Sequence, residues 1–187
     1  MNLPNKLTVS RLWLTALFVV CFSLHFPGRF SLALAVFIVA TVTDYLDGVI
    51  ARRRNLITDF GQLMDPLADK ILTASAFISL AAIHSFPAWA VIVVISREFL
   101  ITGLRSLAAS KGIVVPADKL GKHKTAWQMV TIIYFLLLLA VGEWAAGPWM
   151  GLAWAFGTWG LVPVTVFLTV YSGAAYLAKN RSLIQTG

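Results

Sequence analysis

The sequence predicts an all-α integral membrane protein with six transmembrane helices, an N-terminal interfacial segment and both termini in the cytoplasm. Three observations lead to this prediction. Of the 187 residues, 59% are hydrophobic and only 12% are charged, whereas charged residues make up about 25% of an ordinary soluble domain. Six apolar segments approach the ~20 residues that a membrane-spanning helix needs. The basic residues are concentrated on one side of these segments.

The six apolar segments follow one another closely, which predicts a single membrane domain covering residues 1–187. Three of the connections contain Pro or Gly and read as turns: HFPGR, HSFPA and GEWAAGPWMG. The segments are approximately residues 8–25, 31–54, 60–83, 87–109, 122–141 and 151–179. The last begins in a Trp-rich stretch typical of the membrane–water interface. It also contains Pro163, which we expect to kink the helix.

The distribution of Lys and Arg predicts the orientation of the helices. Six spans place both termini on the same side of the membrane. That side holds 14 of the 15 Lys and Arg residues, and Arg29 lies on the other. Because basic residues collect on the cytoplasmic side of membrane proteins, both termini are expected there. The same signal accounts for the net charge of +7, so the charge does not indicate a nucleic-acid partner.

Four aspartates lie where the second helix ends and the third begins. Asp44 and Asp47 are three residues apart, and Asp65 and Asp69 are four residues apart, so each pair lies on one helix face. An α-helix rises ~1.5 Å per residue, so both pairs lie roughly 9–16 Å from a turn near Asn55–Asp59. The two pairs are therefore expected at similar depth in the membrane. Together they are half of the eight acidic residues.

Four carboxylates at this depth need positive charge or protons, because each buried charge costs roughly 2.5–3.5 kcal/mol on insertion scales. Hard divalent cations such as Mg²⁺ or Mn²⁺ prefer clustered carboxylate oxygens. Two such ions ~3.5–4 Å apart suit phosphoryl chemistry. Two alternatives stay open from the residues alone. One is an ion-pair network with Arg52–Arg54. The other is a divalent-cation transport pathway, since intramembrane acids also mark ion routes.

The stretch that contains the aspartates has the spacing D-x2-D-G-x2-A-R-x8-G-x3-D-x3-D. The matching positions are Asp44, Asp47, Gly48, Ala51, Arg52, Gly61, Asp65 and Asp69. This pattern resembles the signature of the CDP-alcohol phosphotransferase family of integral membrane enzymes. Members of the family transfer a phosphatidyl or similar group from a CDP-linked donor to an alcohol and release CMP. Four further segments, NLPNKLTVSR, DPLADK, REFLITGLR and GKHKTAWQ, look like the branch that makes phosphatidylglycerophosphate.

The resemblance implies transfer of the phosphatidyl group of CDP-diacylglycerol to sn-glycerol 3-phosphate. Other members of the family use other acceptors, so inositol phosphate, serine and phosphatidylglycerol are alternatives. The resemblance also implies that the four aspartates hold two Mg²⁺ or Mn²⁺ ions and that Asp69 serves as general base. The implied donor-binding residues are Asn5, Lys6, Gly48, Arg52, Thr58 and Gly61. A homodimer in the bacterial cytoplasmic (inner) membrane is implied, with the active site facing the cytoplasm.

Four basic residues of the fourth and fifth helices are candidates to bind the phosphate of the acceptor: Arg97, Arg105, Lys122 and Lys124. Arg97 lies too deep in its helix for a simple orientation signal, and arginine suits bidentate phosphate binding. Structural pairing with Glu98 is the alternative for the two arginines, because Arg105 shares a helix face with Glu98. The two lysines would also be ordinary at a cytoplasmic helix end.

Overall fold

Every element in the described part of the chain is a helix, which confirms the all-α prediction. The computed structural model describes residues 3–54, 59–110 and 119–181; inside these helices, the side chains of residues 3–8, 44–54, 59–69 and 119–120 are not described. The helices are α1 (Leu3–Ser23), α2 (Arg29–Arg54), α3 (Asp59–Ala82), α4 (Ala88–Ser110), α5 (Lys119–Trp144), α6 (Trp149–Phe156) and α7 (Val162–Lys179). A π-helical stretch, Gly157–Leu161, joins α6 and α7 into one continuous helix. The described residues therefore form six helical rods, the number that the sequence predicts; that all six span a membrane stays a prediction.

Two rods in the described part of the chain are long and apolar enough to cross a membrane. Shorter apolar stretches occur in the described parts of α1, α2 and α3. The two long rods are Gly121–Trp144 and Trp149–Lys179, and the shorter stretches are Val9–Ser23, Arg29–Thr43 and Lys70–Ala82. Large apolar side chains also cover the outside of the bundle, including Trp159 (81% exposed) and Leu152 (78% exposed). An exposed apolar surface of this kind suits contact with lipid.

The bundle is arranged around an aromatic core. Helix α1 packs against both α2 and α3, α5 packs against α2, α3 and α7, and α4 packs against α3 and α7. Phe86, in the turn after α3, lies between Phe77 of α3 and Phe135 of α5, with ring centroids 5.0 and 5.6 Å away. Phe18 and Phe37 join α1 to α2 in the same core. These contacts hold the apolar halves of the helices together and set the relative positions of their polar halves.

The N-terminus differs from the sequence prediction. Helix α1 begins at Leu3, whereas the sequence predicts a helix from residue 8 after a separate segment. Pro4 is compatible with the first helical turn, where its missing N–H would have no intrahelical partner. Asn5 and Lys6 therefore belong to α1 itself. That this first turn lies at the membrane interface stays a prediction.

A carboxylate from α5 caps the start of α2. Glu143 accepts hydrogen bonds from the backbone N–H groups of Phe30 (3.0 Å) and Ser31 (3.1 Å) and from the hydroxyl of Ser31 (3.1 Å). The first N–H groups of a helix have no intrahelical acceptor, and the positive end of the helix dipole attracts a negative charge. Gly28, with φ of +82°, makes the turn that leads into this capped end.

The π-helical stretch accommodates Pro163 without ending the helix. Pro163 has no N–H to donate to the preceding turn, and its ring would crowd the carbonyl four residues earlier. Just before it, the N–H of Val162 bonds to the carbonyl of Gly157, five residues back, which widens the turn. Gly157 lies against two aromatic rings of α5: a Cβ atom on Gly157 would be 3.0 Å from both Phe135 and Tyr134. The predicted irregularity at Pro163 is thus a wide turn in a continuous helix.

We expect Gly157→Ala to destabilise the protein by about 1–2 kcal/mol. Overpacking against the two rings costs about 1–3 kcal/mol and exceeds the helix-propensity gain of about 1 kcal/mol. Gly151→Ala is the matched control, because a Cβ atom on Gly151 meets nothing within 4 Å. It should be neutral or slightly stabilising. Unfolding midpoints in mixed detergent micelles measure both; equal midpoints for the two variants would contradict the packing argument.

Candidate active site

Two cations converge on one carboxylate between α4 and α5. The ammonium of Lys124 forms an ion pair with Oε1 of Glu98, and Nη1 of Arg97 lies 3.5 Å from the same oxygen. The side chains of Lys124, Arg97 and Glu98 are 2%, 13% and 21% exposed. We call these three residues the cation cluster. The N–H groups of its two cations are of the type that binds the oxygens of an anion.

Helix periodicity places the cation cluster on buried faces. Lys124 lies one turn before Gln128 on α5, and both side chains are buried. Gln128 donates a hydrogen bond to Thr169 of α7 (3.2 Å), and one turn later Thr131 bonds to Thr165 (2.8 Å). Polar contacts of this type join helices in membranes because lipid offers no alternative partner. They join α5 to α7 along the same face of α5.

Helix α7 closes the cation cluster on another side. A Cβ atom on Gly173 would lie only 3.1 Å from Cγ of Arg97, so the absence of a side chain allows α7 to approach α4. Tyr176 lies one turn beyond Gly173 on α7, and its side chain is buried. The Nε of Arg97 and the hydroxyl of Tyr176 are buried without a hydrogen-bond partner among the described residues. Both can donate to a ligand oxygen, and buried donors of this kind favour an acceptor that satisfies them.

Helix α3 reaches the same region of α4 through Lys70. The ammonium of Lys70 donates to the hydroxyl of Thr102, and this hydroxyl donates to the backbone carbonyl of Glu98 (2.7 Å). Thr102 is four residues from Glu98, a rise of about 6 Å along α4. Lys70 directly follows Asp69 in the sequence. The contact therefore places the end of α3 that carries the third and fourth aspartates beside the cation cluster.

The structure brings together only some of the predicted phosphate-binding residues. Arg97 and Lys124 meet at Glu98, whereas the side chains of Arg105 and Lys122 are exposed and form no ion pair with a described residue. Pairing of Arg97 with Glu98, which the sequence offered as the alternative to phosphate binding, does occur. For Arg105, no contact with Glu98 occurs among the described side chains.

The predicted metal and donor residues are placed by the backbone alone. Asp44 and Asp47 lie in α2, and Asp65 and Asp69 lie in α3, on helices that both pack against α1. Their side chains lie outside the described part, as do those of Asn5, Lys6 and Arg52, while Gly48 and Gly61 have only their backbone positions in α2 and α3. Thr58 and the predicted turn up to residue 58 lie outside the described residues altogether. Among the side chains that the structure does describe, no group of three His, Cys, Asp or Glu could hold a metal ion. The donor chemistry of the four aspartates fits hard divalent cations, since helical spacing puts each pair on one face.

Sequence reasoning missed the roles of Lys70, Thr102 and Tyr176. Lys70 counted only as an orientation charge, although a lysine next to an intramembrane aspartate is itself a signal. Thr102 lies one turn from Glu98 and could have been assigned to the same face. Tyr176 carries no sequence signal, because its proximity to Arg97 depends on how α7 packs on α4.

Comparison with known proteins gives full-length matches. The family model for CDP-alcohol phosphatidyltransferase matches residues 1–172. A CDP-diacylglycerol–glycerol-3-phosphate 3-phosphatidyltransferase of Bacillus subtilis (strain 168) is 41% identical, over 99% of this chain and 98% of that protein. A protein with the same name from Rickettsia bellii is 33% identical, over 94% and 93% of the two chains. A probable phosphatidylglycerophosphate synthase of Mycobacterium tuberculosis is 34% identical, over 95% and 81%.

The two lysines of α5 provide a matched test of the cation cluster. We expect Lys124→Met to lower stability by about 3 kcal/mol, the low end for breaking a buried ion pair, because Arg97 still lies beside Glu98. Lys122→Met should change stability by less than about 0.5 kcal/mol, since its side chain is exposed. Unfolding midpoints in mixed micelles would reveal the difference. If both variants behave like the unmodified chain, the cation cluster does not carry the stability that its burial implies.

Proposed function

Because this chain belongs to the CDP-alcohol phosphatidyltransferase family, we propose that it transfers the phosphatidyl group of CDP-diacylglycerol to sn-glycerol 3-phosphate. The products are phosphatidylglycerophosphate, a precursor in phospholipid biosynthesis, and CMP. The names of relatives that align over nearly their whole length support this acceptor. The reaction needs a site that binds a phosphate-bearing alcohol beside a group that can accept a proton.

The observation that supports this function most directly is the position of the cation cluster. Arg97 and Lys124 converge one helical turn from Thr102, which contacts Lys70, the neighbour of Asp69. The two cationic groups of Arg97 and Lys124 suit the phosphate of glycerol 3-phosphate. Its free hydroxyl would then extend toward the aspartates. Arg105 and Lys122, exposed on the same two helices, complete the proposed acceptor site.

CDP-diacylglycerol, the donor, is assigned to the side of the aspartates that lies opposite the acceptor site. Gly48 and Gly61 allow the nucleotide to approach the helix backbones. Arg52 offers a planar fork to a phosphate, while Asn5, Lys6 and Thr58 surround the nucleotide. Asp44, Asp47, Asp65 and Asp69 would hold two Mg²⁺ or Mn²⁺ ions. When bound, these ions neutralise the pyrophosphate of the donor and the departing CMP.

In the proposed reaction, Asp69 accepts the proton of the sn-1 hydroxyl of glycerol 3-phosphate. The sn-1 oxygen forms a bond to the phosphorus that carries diacylglycerol. The bond from that phosphorus to the CMP oxygen breaks, and CMP leaves with the electron pair. Arg97 and Lys124 hold the acceptor by its phosphate throughout, which orients the hydroxyl for in-line attack.

The membrane location follows from the chemistry of the donor. The acyl chains of CDP-diacylglycerol stay in the bilayer, while its nucleotide needs a polar cavity near the surface. The chain is assigned six spans in a single domain, with both termini and the active site at the cytoplasmic face of the inner membrane. The basic residues near one side of the spans support this orientation. A homodimer is proposed by analogy with the family.

Cation transport is the competing function from another class. The cation cluster speaks against it, because Arg97 and Lys124 would repel a divalent ion that passes along α3 and α4. Within the family, inositol phosphate, serine and phosphatidylglycerol are the competing acceptors. Serine and phosphatidylglycerol lack the terminal phosphate monoester that two converging cations would bind best.

Release of CMP from CDP-diacylglycerol tests the proposal. Purified protein is incubated with Mg²⁺ or Mn²⁺, CDP-diacylglycerol and one acceptor at a time: sn-glycerol 3-phosphate, inositol phosphate, serine or phosphatidylglycerol. The expected result is CMP release with glycerol 3-phosphate far above that with the others. Preference for another acceptor would reassign the branch of the family. Absence of CMP with every acceptor, together with metal flux into proteoliposomes, would support the transporter instead.

Asp69→Asn should lower kcat by at least about 100-fold, because the amide cannot accept the proton of the attacking hydroxyl. Glu143→Gln is the control: it makes the same carboxylate-to-amide change at the cap of α2, about 28 Å along α5 from Lys124. Its kcat should stay within about twofold of the unmodified enzyme. Both are measured as initial rates of CMP release, with unfolding midpoints to confirm folding. Near-normal turnover of the Asn variant would remove Asp69 as the base.

Arg105→Ala should raise the KM for glycerol 3-phosphate about tenfold, which corresponds to ~1.4 kcal/mol and is typical of a lost charged hydrogen bond. The KM for CDP-diacylglycerol should change much less. Arg29→Ala, at the start of α2, is the control for loss of a basic residue elsewhere. A larger change in the donor KM than in the acceptor KM would assign Arg105 to the lipid substrate.

A further inference from the structure

We propose that Thr102 is a positioning residue that aligns the acceptor site on α4 with the aspartate-bearing end of α3. The inference rests on the proposed transferase function and extends it to a residue that does not touch either substrate. Its basis is the single hydroxyl that joins the two helices: Oγ1 of Thr102 accepts from Lys70 of α3 and donates to the carbonyl of Glu98 on α4.

The geometry of Thr102 explains why threonine suits this position. A hydroxyl can donate one hydrogen bond and accept others. Donation to the carbonyl four residues earlier fixes the rotamer of Thr102, and its branched Cβ already restricts that rotamer in a helix. The lone pairs of the oxygen therefore point in a defined direction, toward the half-buried side chain of Lys70. A flexible polar side chain could place its oxygen in several positions, so its contact with Lys70 would be less well defined.

The contact matters because the proposed reaction needs groups from different helices. Asp69, the base, precedes Lys70 on α3, while the phosphate of the acceptor is held by Arg97 on α4 and by Lys124 on α5. Glycerol 3-phosphate is short and must span these points with its hydroxyl in line. A displacement of about 1 Å between base and substrate can lower a rate about 100-fold. The hydroxyl of Thr102 contacts Lys70 and so joins α3 to α4 at this level.

The competing interpretation is that Thr102 merely holds two helices together. The hydroxyl pair of Thr131 and Thr165 has that role between α5 and α7: it is buried and lies about 10 Å along α5 from Lys124. Loss of a purely structural hydroxyl should lower stability and leave the kinetic constants of the folded fraction unchanged. Loss of a positioning hydroxyl should lower kcat while both substrates still bind. The two roles therefore give different kinetic results.

The experiment compares Thr102→Val, Thr102→Ser and Thr131→Val in the full-length enzyme, with Mg²⁺, CDP-diacylglycerol and glycerol 3-phosphate. We expect Thr102→Val to lower kcat about tenfold, with both KM values within twofold of the unmodified enzyme. Thr102→Ser keeps the hydroxyl and should restore at least half of the kcat. Thr131→Val should lower the unfolding midpoint and leave kcat per folded enzyme within twofold.

Each outcome of this experiment decides a specific point. Unchanged kcat in Thr102→Val would overturn the inference, as would a loss that Thr102→Ser fails to restore. A loss of kcat in Thr131→Val equal to that in Thr102→Val would also overturn it, because any interhelical hydroxyl would then have the same effect. Failure of the unmodified enzyme to release CMP with glycerol 3-phosphate would instead reject the proposed function, whatever the variants do.

Discussion

Charged side chains within an apolar helix bundle need partners, because neither lipid nor an apolar core can solvate them. This constraint sets the rotation of α4. Arg97, Glu98 and Thr102 face α3, α5 and α7, while Phe99 and Leu100 lie on the exposed surface. The helix is therefore polar toward its neighbours and apolar outward, the reverse of a helix on a water-soluble protein. Each neighbour supplies one component: a lysine from α3, a lysine from α5 and a glycine from α7.

The cation cluster is a poor means of stabilising the fold. Removing charges from water costs several kcal/mol per ion, and apolar residues of similar volume would often stabilise the bundle as well or better. An anion-binding site needs two cations close together, and Glu98 keeps Arg97 and Lys124 close despite their mutual repulsion.

The sequence predicts those features that depend on residues close together along the chain. Apolar length and turn residues are local, so the six helices could be predicted; the face shared by Asp65 and Asp69 stays a prediction. Which helix faces meet is not local. Glu98 could have paired with either arginine of its own helix; it contacts Arg97, and the packing of α5 adds Lys124 as a second partner. The close approach of Gly157, in the π-helical turn before Pro163, to two rings of α5 is not local either. Cytoplasmic orientation and metal binding stay predictions.

The cap on α2 has a consequence for biogenesis. Glu143 is separated from Phe30 by 113 residues, yet it supplies the acceptor for the first N–H groups of that helix. During synthesis, α2 emerges long before α5, so its first turn must find other acceptors, such as water or lipid headgroups, until α5 has been inserted. The start of α2 can reach its final state only after most of the chain has been made. Long-range contacts of this kind delay folding. Because of this one, the hairpin of α1 and α2 can be completed only after α5 has been inserted.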